Sequence, residues 1–446
     1  MSDKEKDLKV GTKTNDANPH DLLVKFGGFG LIEAVIDGAQ NLNPERKARK
    51  QIFLTEAHNK DSRKELKDKL ALWAAVLAKS DDIAEVIGHC ENEVESANAT
   101  YKKNVKAALD RTKELEQAYR SLALFFKNTE AAKVKNINIM NCSMEQRTDL
   151  DVTTFFDTVE TEFADNYDRL DLRDNYGLLV MPGYLGSNKV VDKWSKMCHK
   201  NKVMMVTDFQ HLDSPDDVIE LFEHANLASG DIHKSNVIMG ANWLVGREKA
   251  EQAGEEEALY VPPAGALAGH IYKTMMSQVA AGKKHGSLSE VDGVAFPLRK
   301  GEIAEMEKLG LVPMVNEYGK VMAFSAKTLF NGDNIGLQTY SVVRVFDYVS
   351  KTLMDFLNRR AFENFNVQTK KEIRLQIQRF LESVCGPGKL IEKFKILRFE
   401  QDPNQKDRIF LDIHMTPFFP AKNYVFKLDG HKGDDGTEWA SQVGES

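Results

Sequence analysis

Between Tyr176 and Gly240 short apolar runs alternate with amphipathic ones, and this alternation leaves few folds open. Tyr176-Gly177-Leu178-Leu179-Val180-Met181 is apolar without a break, as a strand is when both faces of its sheet are covered. Ser187 to Lys200 has helical spacing, Val203 to Val206 is a second buried strand, and Asn236 to Gly240 is another. Ser214-Pro215-Asp216-Asp217 opens the helix between the last two, with a capping hydroxyl, proline at the first helical position and acids in the first turn. That helix ends before Gly230. Upstream, Lys135 to Met140 reads as a strand and Val152 to Phe163 as a helix. Four strands separated by three helices predict βαβ units, hence an α/β body with a mainly parallel sheet flanked by helices.

The rest of the chain is organised around this body. Residues 1–20 are polar and predict a disordered leader; 21–87 read as an N-terminal helical segment, 88–330 as the α/β body, 331–430 as a C-terminal α+β domain and 431–446 as a flexible tail. Behind Gly27-Gly28-Phe29-Gly30, the residues Leu31, Ile32, Val35 and Ile36 have helical spacing, suited to an outlying piece of core or to a docking peptide. Asp61 to Lys79 is an amphipathic helix, and Leu109, Leu115, Tyr119, Leu122 and Phe126 mark one face of another.

In the C-terminal domain two amphipathic helices, Val342 to Ala361 and Lys370 to Val384, run into Gly386-Pro387-Gly388, a stop signal. Strand-like runs follow. The first carries Phe394, Ile396 and Phe399; in the second, Ile409, Leu411, Ile413 and Met415 face one way and Arg408, Phe410, Asp412 and His414 the other. A third run, Tyr424-Val425-Phe426-Lys427-Leu428, follows Pro417 and Pro420. A terminal strand keeps a free edge unless something pairs with it, so these strands are expected either to close a sheet within their own domain or to pair with another chain.

Several functions are disfavoured. At 446 residues the chain can build two or three domains with proper cores. Lys plus Arg number 60 against 67 Asp plus Glu, a net charge of -7, whereas a nucleic-acid coat wants a basic stripe. Cys90, Cys142, Cys198 and Cys385 show no Cys-x-x-Cys spacing and read as reduced thiols. Met1-Ser2-Asp3-Lys4-Glu5-Lys6 has no apolar signal core, and the run Leu70 to Ala78 falls short of the ~18 apolar residues that span a bilayer, so a cytoplasmic protein without membrane insertion is expected.

Catalytic signals are weak. Gly28-Phe29-Gly30 lacks the third glycine and the preceding strand of a dinucleotide loop, and no phosphate-binding Gly-x-x-x-x-Gly-Lys-Ser/Thr occurs. Asp231 and Asn236 have the spacing of a phosphotransferase catalytic loop, but Val237 to Gly254 lacks the metal-binding Asp that should follow. His211, His224 and His233 lack metal-ligand spacing, and His199 beside Cys198 does not make a nucleophile pair by adjacency. No catalytic residue, cofactor or metal is assigned. A large α/β protein without a coherent catalytic set reads as structural.

A resemblance gives that reading content. The pieces are Val261-Pro262-Pro263-Ala264-Gly265-Ala266-Leu267-Ala268-Gly269, Val321-Met322-Ala323-Phe324-Ser325-Ala326-Lys327-Thr328-Leu329, Tyr340-Ser341-Val342-Val343-Arg344-Val345-Phe346-Asp347-Tyr348-Val349, Phe362-Glu363-Asn364-Phe365-Asn366 and the strand pair. In order and spacing they resemble the C-terminal domain of contractile tail sheath proteins. Leu115-Glu116-Gln117-Ala118-Tyr119-Arg120-Ser121-Leu122 is similar to the Leu-Glu-x-x-Trp-Arg-Gly-Leu element of the large sheath subunit of type VI secretion systems, with Tyr119 for Trp and Ser121 for Gly, as in a divergent branch. The resemblance implies a non-enzymatic subunit that pairs with a small sheath subunit and stacks in six-fold rings wound into a helix. Such a sheath surrounds an inner tube protein, sits on a baseplate and is recycled by an AAA+ ATPase. It also implies that Phe394, Ile396, Phe399, Ile409, Leu411, Ile413, Tyr424 and Phe426 lie in intersubunit strands. Leu31, Ile32, Val35 and Ile36 match by position the helix that the ATPase grips. Arg344, Lys351, Asp355 and Arg359, opposite the Val342, Val345, Val349, Leu353 and Phe356 stripe, are either inner-tube contacts or charges that solvate an outer surface. A single-subunit sheath of a phage tail or extracellular injection particle is the nearer alternative, and a phosphotransferase using Asp231 and Asn236 the distant one.

Overall fold

The computed structural model describes residues 55–134, 136–167, 175–422, 425–432 and 437–444. The candidate ATPase helix at 31–36 and Tyr424 lie outside the described residues. The chain forms two compact units, Met1–Ala107 and Ala108–Ser446.

In the first unit α1 (Lys60–Leu77) is followed by α2 (Ile83–Asn128), a 46-residue helix whose last turns belong to the second unit. Asp82 caps the start of α2, its Oδ1 accepting the Ala84 N–H at 2.9 Å. Ala74 and Val86 are buried, while Leu66, Leu70 and Trp73 on α1 stay exposed.

The second unit continues with α3 (Met144–Thr148), α4 (Thr154–Tyr167), β1 (Leu178–Met181), α5 (Asn188–Lys200), β2 (Met204–Asp208), α6 (Pro215–Ala225) and β3 (Val237–Ala241). Ser214 caps α6 as the sequence suggests, accepting the Asp217 N–H, and Ser187 likewise caps α5, accepting the Val190 N–H. Then come the hairpin β4 (Leu244–Arg247) and β5 (Leu259–Val261), α7 (Ala264–Lys273), the short α8 (Gly282–His285), α9 (Lys300–Leu309), β6 (Leu311–Glu317) and β7 (Lys320–Ala323). The main sheet has the order β1-β2-β3-β6-β7, parallel except for the last pair.

Two expectations are corrected here. Residues 136–140 form no strand and pair with no described strand, and Ile137, Ile139 and Met140 are exposed. Apolar alternation alone does not make a strand where no neighbouring strand is available. The fourth parallel strand is instead β6, which Pro313 disguised, since a proline cannot donate to a central ladder. Its carbonyl still accepts, from the Phe324 N–H at 3.0 Å.

Period-two alternation splits each strand between two cores. Leu179, Met181, Met205, Met239 and Leu311 meet α4, α5, α6 and α9 on one face. Leu178, Val180, Met204, Val206, Ile238 and Val312 meet α2 and α7 on the other. A buried parallel sheet reads as an unbroken apolar run for this reason.

A third core lies under the C-terminal elements. Here α10 (Tyr340–Arg359) and α11 (Val367–Val384) pack Val345, Val349, Leu353, Ile373, Ile377 and Leu381 against β8 (Ile391–Gln401) and β9 (Ile409–Pro417). The chain closes with β10 (Val425–Lys432) and β11 (Thr437–Gly444). These two pair antiparallel, Val425 with Gly444 through Lys432 with Thr437, so 431–446 is not simply the flexible tail expected.

Candidate functional site

The carboxyl ends of parallel strands are where an α/β sheet usually holds a ligand. In this chain that position is filled by the chain itself. Asp208, at the end of β2, is fully buried; its Oδ2 accepts the Gly183 N–H at 3.0 Å and its carboxyl also takes the Ala264 N–H at the start of α7. Its other oxygen has no partner, and a Cβ on Gly240 would stand 2.7 Å from it. Arg147 spends its Nη1 on the Pro182 carbonyl at 2.7 Å.

Burial outweighs the two backbone donors and pushes the Asp208 carboxyl up to about 8. The folded chain therefore keeps a proton that the unfolded chain, with its carboxyl near ~3.9, gives up. Stability from this group is full below pH ~4 and is lost as pH rises through about 8. Asp208→Asn should remove that decline: thermal melts at pH 5 and pH 8 should show the variant gaining on the parent as pH rises. A parallel loss in both proteins would contradict this.

The phosphotransferase pair does not assemble. Asn236 is buried, donating to the Val203 carbonyl at 3.3 Å and to Asp347 Oδ2 at 2.9 Å, with its Oδ1 2.8 Å from His199 Nδ1. Asp231 is exposed and accepts from Ser229 at 2.8 Å. His233 sits 2.5 Å from Asp192, and His211 stacks on Trp243 and Tyr260 at 5.4 and 4.5 Å. Among the described residues no three His, Cys, Asp or Glu side chains gather as a metal site.

The charges on α10 are not the free set that the sequence suggested, and this expectation is corrected. Lys351 donates to Asn175 Oδ1 and to the Tyr176 carbonyl, both at 2.8 Å. Arg344 donates to the Ile271 carbonyl at 3.3 Å, and Asp355 is buried against Arg359. Arg359 alone of the four is exposed. Placing a charge at helical spacing does not fix which way the helix turns, and here the inward face carries both stripe and cations. Burial lowers the Lys351 ammonium to about 8. Lys351→Glu would set a carboxylate against two oxygens and beside Asp347, a mismatch costing ~3 kcal/mol or more. We expect loss of soluble protein, not selective loss of tube binding; a normally melting Lys351→Glu variant would contradict the buried geometry.

The element Leu115–Leu122 works through its inner face. Arg120 and Arg247 both bind Glu116, at 2.9 and 3.0 Å, and Arg247 binds Glu255 at 2.6 and 2.9 Å. Burial raises the Glu116 carboxyl, but the two guanidiniums outweigh it and leave it below the usual range. Gln117 donates to the Tyr260 carbonyl at 2.8 Å and Arg120 to that of Gly246 at 2.9 Å. Ser121 and Phe125 meet α7 where Gly265 and Gly269 leave space: a Cβ there would fall 2.2 and 2.3 Å from their carbonyl oxygens.

The expected intersubunit strands form hairpins within the chain. β8 pairs β9 antiparallel from Ile391–Pro417 to Gln401–Ile409, with irregularities near Lys393 and Arg398. Phe399 is buried, Phe394, Ile396, Leu411, Ile413 and Met415 lean on the third core, and Ile409 is exposed. Phe426 lies in β10, opposite Val443. Each hairpin is a two-stranded sheet, so among the described residues both have outer edges paired by no further strand. Such edges are templates for another chain.

Among solved structures, one chain of the anti-feeding prophage baseplate shares 15% identity with a TM-score of 0.50, covering 70% of this chain and 80% of that one. A chain of the contracted helical sheath of the same particle shares 15% identity, covering 71% and 82%, with a TM-score of 0.48. A contracted sheath chain of an extracellular contractile injection system shares 13%, covering 69% and 98%, at 0.44. At 15% identity the first of these likenesses is one of fold alone. A comparison with curated proteins finds no match. Three family descriptions match in turn: the TssC/VipB-like N-terminal region over 17–105, the type VI secretion system TssC/VipB central domain over 107–331 and the TssC/VipB-like C-terminal domain over 339–445. With these three matches running from residue 17 to residue 445, the chain belongs to the TssC/VipB family, the large contractile sheath subunits of type VI secretion systems.

Proposed function

We propose that this chain is the structural subunit of a cytoplasmic sheath that surrounds an inner tube and drives its ejection. It would pair with a small sheath subunit, stack in six-fold rings on a baseplate and be taken apart after contraction by an AAA+ ATPase. The observation that carries the reading is the pair of two-stranded hairpins whose outer edges pair with no further strand among the described residues. A sheath must keep neighbours joined while its bodies change packing. Main-chain pairing does this, because the strand bonds persist as the bodies rotate. Contacts between unlike surfaces that do not close on themselves extend into helical filaments.

No helix among the described residues is long and apolar enough to cross a membrane. Co-expression with the product of a neighbouring gene for a small sheath subunit, followed by electron microscopy, tests the proposal. Tubes containing both chains are expected. Tubes from this chain alone would favour a single-subunit sheath, and soluble monomers under all conditions would refute the proposal.

A further inference from the structure

At the corner between α10 and α11 the backbone holds a phenylalanine out into solvent. Phe362 is fully exposed and takes a φ of 66°, a conformation that a bulky side chain adopts only at a cost. The corner around it is well anchored. Phe365 sits edge-on to Phe399 at the third core, and Asn366 caps α11 by accepting the Thr369 N–H at 2.9 Å. Glu363, the next residue, binds Arg360 through Oε2 at 2.8 Å, which leaves its Oε1 to another cation. The chain thus accepts strain to present a ring with a carboxylate beside it, and the described residues leave that ring uncovered.

The same chain carries a hollow of the opposite kind. A cavity of about 560 Å³ lies between the loop before α10 and the segment after β9. Ile335, Phe419 and Pro420 give it an apolar side, and Ile335 and Phe419 are themselves exposed. Lys327 and Lys422 bring two ammonium groups to it. Lys422 is paired with Glu307, whereas Lys327 donates to the neutral Gln338 Oε1. Burial, and then the Lys422 charge, lower the Lys327 ammonium. An added carboxylate relieves that repulsion.

Placement decides what fills the hollow. Thr339, in the cavity wall, directly precedes α10, and Phe362 comes three residues after its end. The 20-residue helix therefore sets ring and cavity ~30 Å apart, too far for the ring to enter the cavity of its own chain. A ring at one end of a helix and a hollow at the other are unlike surfaces, and such surfaces join copies head to tail without closing. We infer that Phe362 of one copy inserts between Ile335, Phe419 and Pro420 of the next, with Glu363 set against Lys327. This joint is made by side chains and is separate from the hairpin edges; that copies assemble at all rests on the proposed function.

Two variants of the full chain test this. Ala361→Cys puts a thiol beside the ring and Ile335→Cys puts one at the cavity, both at exposed positions. Cys90, Cys142, Cys198 and Cys385 stay in every sample and set the background. Mixed in equal amounts and treated with a short bis-maleimide linker, the two variants should give at least tenfold more covalent dimer than either alone. Adding Phe362→Gly to the Ala361→Cys chain should return the yield to background with the thermal melt nearly unchanged, since glycine takes a positive φ freely. Glu363→Lys in that chain, or Lys327→Glu in the other, should cut the yield about threefold at low salt, and the two together should restore it. A mixed yield no higher than background would overturn the inference. So would a yield untouched by Phe362→Gly, or a melt sharply lowered by it. Cross-linking without tubes in the co-expression above supports the joint and removes the sheath; tubes without cross-linking leave the sheath and remove the joint.

Discussion

Gly265→Leu should unfold or gravely destabilise the second unit. Helices α2 and α7 touch backbone to backbone: the ideal Cβ on Gly265 lies 2.2 Å from the Ser121 carbonyl oxygen and 2.6 Å from its hydroxyl. The obstacle is main chain, which cannot rotate away as the tip of a flexible side chain could. Gly269 meets Phe125 in the same way one turn later, so the contact has no slack along its length. Overpacking a core costs typically ~1–3 kcal/mol, and more where backbone must move. A fall in Tm of roughly 6–12 °C is the least we expect, with insoluble protein a frequent outcome. Gly301→Ala is the matched control, since nothing lies within 4 Å of its new methyl. It should change stability by no more than about 0.5 kcal/mol. Equal melts for parent and Gly265→Leu would disprove the tight helix contact.

This contact also shows how far the sequence could be read. Val261 to Gly269 and Leu115 to Leu122 are separate runs in sequence, each suggestive by resemblance and neither explained. Their packing against each other explains both. Ser121 is tolerated where the related element has glycine because Gly265 leaves room opposite it, although its buried hydroxyl finds no partner. The strands β1, β2 and β3 were legible because an all-apolar run has few other uses. β6 was not, because Pro313 argues locally against a strand and only its neighbours β3 and β7 overrule it. Residues 136–140 failed in the opposite sense, having the alternation of a strand without a partner.

Side-chain direction was the harder matter. The apolar marks Leu115, Tyr119, Leu122 and Phe126 were found as one face of a helix, but sequence does not say whether a face is turned in or out, and this one is turned out. The same ambiguity hid Lys351, which periodicity placed opposite the apolar stripe and the structure ties to Asn175 and Tyr176. At the strands of 409–415 the alternation was sufficient, because only one side of that hairpin has a core to lean on.

The second large effect concerns the open edges. Deleting everything after Gly388 would be a poor test, because Ile391 and Phe399 are part of the third core and their loss would strip α10 and α11 of their cover. Ending the chain at Lys422 is cleaner. It removes β10 and β11, which form a separate two-stranded sheet, and leaves the β8–β9 hairpin in place. Folding should be nearly unaffected, with circular dichroism and thermal melts close to those of the parent. Polymerisation should fail almost completely, since a filament needs every joint and each subunit would lack one of its pairing edges.

The decisive measurement is electron microscopy of the chain ended at Lys422, expressed beside the full-length chain under identical conditions with a small sheath subunit. Main-chain pairing through the C-terminal hairpins predicts tubes from the full-length protein and, from the shortened one, folded complexes that do not lengthen. Tubes of normal length from the shortened protein would show that β10 and β11 do not join the subunits.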